Sequence, residues 1–141
     1  MLTKKGFTLV ELMVVILIVA ILAAIAIPIM RGRIDSAKWT EGKAMIGTIA
    51  TSIRAYAAET NEPLSVDQKD TLKWAELGLA QGDFDGTYFD NTKFGWSVNY
   101  DQATEALDFT VWADKPDTIA SPNRWTLNQM GQWEPTTGPA L

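Results

Sequence analysis

Glu11 lies alone inside Phe7–Pro28, a stretch whose only other polar side chain is Thr8. Leu12 to Ile27 is unbroken apolar sequence, and Lys4, Lys5 and Gly6 precede it. A charge at the centre of a bilayer costs about 2.5–3.5 kcal/mol on insertion scales, and less near the interface. A lone carboxylate here therefore calls for a partner, and finding that partner is the chemistry it could perform. A second set of oxygen ligands, Asp83, Asp85 and Asp90, surrounds Phe84 and Gly86. Calcium favours such carboxylates, but the spacing is not that of a twelve-residue calcium loop, and a solvated turn is the expected reading. The chain has no His and no Cys. That removes the commonest general base, the commonest transition-metal ligand and all thiol chemistry. With no glycine-rich phosphate loop and no nucleophile–base pair, neither an enzyme nor a cofactor is expected.

Three elements could present Glu11. One is a secretory signal peptide, with Lys4 and Lys5 as its basic region and Ala24-Ile25-Ala26 as the cleavage site. The apolar run exceeds the usual 7–15 residues of such a segment. Another is a plain membrane anchor, since about 20 apolar residues span a bilayer. Its orientation is not fixed by flanking charge, because Arg31 and Arg33 balance Lys4 and Lys5. The third rests on Lys5-Gly6-Phe7-Thr8-Leu9-Val10-Glu11-Leu12, followed by apolar sequence and Pro28. This resembles the N-terminus of type IV prepilins, shared with the pseudopilins of type II secretion.

The resemblance implies a six-residue leader, cut by a prepilin peptidase between Gly6 and Phe7, with methylation of the new amine of Phe7. It implies that Glu11 pairs with the N-terminal amine of a neighbouring subunit and that Pro28 bends the helix. A glycine at the cut lets a peptidase approach the backbone closely, because it has no Cβ. In low dielectric a Glu11–amine pair attracts strongly and partly offsets desolvation.

The helix is expected to continue past the membrane. Ile46, Ile49, Ile53 and Tyr56 recur at helical spacing, and Pro63 supplies a stop, so the helix covers about residues 7–60, roughly 80 Å. Gly32 and Pro28 are its weak points. Ser65-Val66-Asp67-Gln68 has capping-box spacing and predicts a short helix ending near Gly78, with Trp74 and Leu77 packed on the long helix. Period-2 alternation predicts strands carrying Phe94, Trp96, Val98 and Tyr100, then Leu107, Phe109 and Val111, with a turn over Asp101–Glu105. Asp114–Asn123 reads as a connection. A third strand holds Trp125, Leu127 and Gln129, Met130-Gly131 a turn, and Gln132–Glu134 a fourth strand, with a loose tail from Pro135. Trp96, Trp112, Trp125 and Trp133 fall in these strands, where packing within or between subunits is expected rather than sugar binding or electron transfer.

The fold class is thus α+β: a long N-terminal helix, membrane-spanning in its first half, on an antiparallel sheet of about four strands. The divisions are 1–6 leader, 7–30 transmembrane and assembly segment, 31–60 amphipathic helix, and 61–141 head. Residues 31–54 carry five basic against two acidic side chains, and 55–141 carry fourteen acidic against five basic. An acidic head argues against nucleic acid as a partner. The basic stem suits self-association or a solvated face.

The reading is a structural pilus subunit whose partners are other copies of itself, the inner membrane, the prepilin peptidase and a pilus assembly machinery. It starts as a single-pass inner-membrane protein and ends in an extracellular filament. A type II secretion pseudopilin in a periplasmic pseudopilus, served by that system's machinery, is the alternative. A membrane-anchored binding domain that never polymerises is a third, from a different class.

Overall fold

The structure, a computed structural model, describes residues 6–59, 65–67, 71–101 and 104–137. The chain divides into two compact units, Met1–Ile34 and Asp35–Leu141. One helix, α1 (Leu9–Glu59), contributes to both. Its portion within the first unit is long and apolar enough to cross a membrane by length and composition, and none of it is buried inside the chain. Leu9–Ile34 gives roughly 39 Å of helix at about 1.5 Å per residue, beyond the ~30 Å of a hydrocarbon core. The helix runs through Pro28. Pro28 has no N–H to offer the Ala24 carbonyl, so that turn is held by its neighbours.

In the second unit α1 becomes one-sided. Trp39, Gly42, Ile46, Ile49, Ala50 and Ile53 are its buried residues. Their spacing follows a single helical stripe, as an element with one face on a core requires. The expected stop at Thr60–Pro63 lies outside the described residues, as do residues 1–5 of the leader.

Among the described residues a five-stranded antiparallel sheet follows in simple order: β1 (Ser65–Asp67), β2 (Phe94–Asp101), β3 (Ala106–Asp114), β4 (Arg124–Asn128) and β5 (Trp133–Thr136). Two expectations are corrected. Ser65–Asp67 is an edge strand paired with Ser97–Asn99, not a helix cap, and the short helix α2 spans Thr71–Glu76. Polar–apolar–polar sequence suits a strand as well as a cap, and pairing with β2 decides between them. Gln68, the last cap residue, lies outside the described residues. Pro135 does not begin a loose tail: it pairs with Trp125 in β5. A proline is tolerated there because β5 is an edge strand. Beyond Thr137 the tail lies outside the described residues.

The alternation in β2 and β3 appears as read. Phe94, Trp96, Val98 and Tyr100 are buried from β2, and Phe109, Val111 and Ala113 from β3. They form one core with the α1 stripe, Trp74, Leu77, Phe84, Phe89, Ile119 and Leu127. The β2–β3 turn includes Glu105 at φ 53°, and its residues 102–103 lie outside the described residues.

Polar groups on α1 fasten the loops. Glu41 Oε1 accepts from the backbone N–H groups of Tyr88 (2.8 Å) and Phe89 (3.0 Å). Asp35 Oδ2 accepts from Ala120 N–H at 3.0 Å, and Lys38 Nζ donates to the Thr118 carbonyl at 2.7 Å. Lys43 Nζ stands 3.3 Å from the Trp125 ring centroid, and Arg54 lies 4.9 Å over Phe109. Three of the five basic residues between 31 and 54 are thus engaged by their own head. The outer face of the sheet is tied by Arg124, which donates to both carboxylate oxygens of Asp114 at 2.6 and 3.0 Å.

Candidate assembly and processing site

The first turn of α1 explains how Glu11 is held. Thr8 precedes the first helical residue, and Glu11 is the third residue of the helix. Thr8 N–H and Thr8 Oγ1 both donate to Glu11 Oε2, at 2.9 and 2.8 Å, and Glu11 N–H donates back to Thr8 Oγ1 at 3.2 Å. This is a capping box, in which two orphan donors of a helix start are satisfied reciprocally. The carboxylate also sits at the positive end of the helix dipole. Within the single chain Glu11 is therefore solvated by its own backbone and by Thr8. Thr8 was not singled out from sequence, although Thr-x-x-Glu ahead of apolar residues is the legible signature of such a start.

The cap leaves capacity unused. An ionised carboxylate has about four lone-pair sites, and Thr8 takes two, both on Oε2. Oε1 can face a cation on another molecule while the cap stays closed. Around it, Phe7, Leu9, Val10, Leu12 and Met13 are exposed. The site is thus one anionic acceptor within an uncovered apolar surface.

Gly6 and Phe7 lie immediately before the cap, and Phe7 is exposed. A Cβ built at Gly6 would meet nothing within 4 Å. The fold of the chain does not demand a glycine at this position.

Of Asp83, Asp85 and Asp90, the latter two carboxylates are put to local use. Asp85 Oδ1 accepts from Asn91 N–H at 3.0 Å and Asn91 Nδ2 at 2.8 Å. Asp90 Oδ1 caps the following 3-10 turn by accepting from Thr92 N–H at 2.9 Å and from Thr92 Oγ1. The Thr92 hydroxyl is the largest cause that holds the Asp90 carboxyl below its ordinary range, with Thr92 N–H and Lys93 adding to it against partial burial. Among the described residues no group of three or more His, Cys, Asp or Glu stands placed to hold a metal ion.

Known proteins resemble this chain in sequence. The family description "Prokaryotic N-terminal methylation motif" matches residues 1–27. A fimbrial protein of Dichelobacter nodosus is 36% identical over 135 residues, covering 90% of this chain and 81% of that protein. The type IV major α-pilin of Moraxella bovis is 35% identical over 80 residues, 57% of this chain and half of the relative's length. The type II secretion core protein G of Pseudomonas aeruginosa is 45% identical over 53 residues, or 38% of this chain and 37% of its own. No solved structure gives a match. The methylation motif over a capped apolar helix start, in a chain that aligns along most of a fimbrial subunit, shows that this chain belongs to the family of type IV pilins and their pseudopilin relatives.

Proposed function

We propose that this chain is a structural subunit of a type IV pilus. It is made as a precursor anchored once in the inner membrane and cut by a prepilin peptidase between Gly6 and Phe7. It is methylated on Phe7 and built into a filament through α1 by the pilus machinery. The observation that carries this reading is the likeness to the Dichelobacter fimbrial protein, which extends over 90% of the chain and so includes the head.

The chemistry is assembly rather than catalysis. Cutting after Gly6 exposes an ammonium group on Phe7, and Glu11 Oε1 of a neighbouring copy accepts it. In lipid this pair attracts strongly, and the attraction partly offsets the cost of burying both charges. The apolar surface of residues 7–34 exchanges lipid for other helices as the filament grows.

A pseudopilin role is the second reading, favoured by the protein G match. That match is confined to 53 residues, whereas the fimbrial match reaches the head. The two readings part on location. Shearing cells that make the chain and probing the released filaments places the subunit outside the cell under the pilus reading. Retention of all the protein in the periplasm and membrane would favour the pseudopilus. Gly6→Val supplies the control, since it leaves uncut precursor and no filaments without disturbing the fold.

A further inference from the structure

Trp74, Gln81, Asn91, Thr92, Phe94 and Trp96 enclose a half-open cavity of about 340 Å³ in the head, far from Glu11 in sequence. Small-ligand sites typically run from about 300 to 1,000 Å³, with apolar walls and a few placed polar groups.

The floor is aromatic and rigid. Trp74 meets Trp96 edge to face at 4.6 Å and Phe84 at 4.7 Å. The end of α2 fixes Trp74, because Leu79 N–H donates to the Trp74 carbonyl and Gly78 N–H to the Ala75 carbonyl, at 2.8 and 3.0 Å. Gly78, at φ 69°, makes that helix stop possible.

The rim is amide and hydroxyl. Gln81 Nε2 donates to Asn91 Oδ1 at 3.1 Å, Asp85 holds Asn91, and Asp90 holds Thr92. Among the described residues these bonds leave one N–H on each amide, Gln81 Oε1 and the Thr92 hydroxyl lone pairs for a ligand. Because the rim groups are already oriented, little ordering cost remains for binding.

We propose that this cavity binds a neutral saccharide unit. Each sugar hydroxyl both donates and accepts, which matches the amide donors and oxygen acceptors of the rim above buried aromatic residues. None of the six described lining residues is charged. An anionic group would therefore lose water there without gaining a paired charge from them. The proposal goes beyond the filament reading and stands without it.

The test is a titration of the full chain in detergent with N-acetylglucosamine and with galactose, and N-acetylneuraminic acid as the anionic control. Amide and indole NMR signals report binding. At least one neutral sugar should give saturable shifts at Trp74, Gln81, Asn91 and Trp96, and the anionic sugar should give none. Gln81→Ala, or Gln81→Leu where alanine disturbs the spectrum, should weaken binding about tenfold through the lost hydrogen bonds. Asn99→Ala, on the outer face of β2, should leave it unchanged. Absence of saturable shifts with both neutral sugars, equal shifts with the anionic sugar, or undiminished binding by the Gln81 variant would each overturn the proposal.

Discussion

At the scale of the residue, Glu11 has two tasks that its substitutions can separate. It closes a cap with Thr8, and under the proposed function its other oxygen meets the amine of a neighbouring copy. Glu11→Gln retains a side chain that serves in a capping box but removes the charge. Glu11→Ala removes both. Both variants should enter the membrane and be cut at Gly6, and both should make few filaments. Only alanine should also fray the first turn, because it removes the cap's reciprocal acceptor. Filament counts by electron microscopy and amide exchange at residues 9–11 in detergent check the two effects; abundant filaments from either variant would remove Glu11 from assembly. Asp90 gives a pH prediction. Its folded pKa lies below the unfolded one, so its contribution is complete above the ordinary aspartate value, about 3.9, and is lost as pH falls below it. The protection of the Thr92 amide, taken relative to its intrinsic rate at each pH, should fall as the pH drops through the lowered Asp90 value, and Asp90→Ala should show that loss at neutral pH.

At the scale of the element, local pattern carried most of the fold. The apolar run, the stripe of Ile46, Ile49 and Ile53, and the alternation of β2 and β3 are periodic signals that packing then used. Where a segment's fate depends on a distant partner, sequence misled. Ser65–Asp67 has cap spacing, yet β2 recruits it as an edge strand, and Pro135 joins β5 because β4 lies beside it. The clasp between Glu41 and the Tyr88–Phe89 backbone joins residues nearly fifty apart and leaves no local trace. Of the candidate site, Glu11 was legible from hydropathy alone, whereas Thr8 needed its spacing to be read as a cap. The cavity residues Gln81 and Asn91 sit in a loop whose sequence has no period. Gly42 exposes a further element-level constraint. A Cβ there would lie 2.7 Å from Phe89 Cζ, in a ring that Trp39 and Phe94 hold at 5.0 and 5.9 Å. Gly42→Val should destabilise the head by roughly 1–3 kcal/mol through overpacking. Combined with Phe89→Ala it should cost less than the sum of the two changes, as melting curves would show.

At the scale of the whole molecule, the division of labour is sharp. Among the described residues every buried hydrophobic residue lies between Trp39 and Leu127, while most of the exposed large hydrophobic residues lie between Phe7 and Ile34. A fragment beginning at Asp35 should therefore be soluble, folded and monomeric. Its melting curve should ignore reducing agent, since the chain has no Cys. Large aggregates would contradict this division. Lys38, Lys43 and Arg54 are engaged within the head, so the proposed assembly rests on residues 7–34 and on Glu11, and it would require a free amine on Phe7. Mass spectrometry of the chain recovered from sheared surface filaments measures this most directly. The account predicts an N-terminal peptide that begins at Phe7 and carries one added methyl group. An intact Met1 terminus, or a cut after Ala26 that discards Glu11, would contradict it.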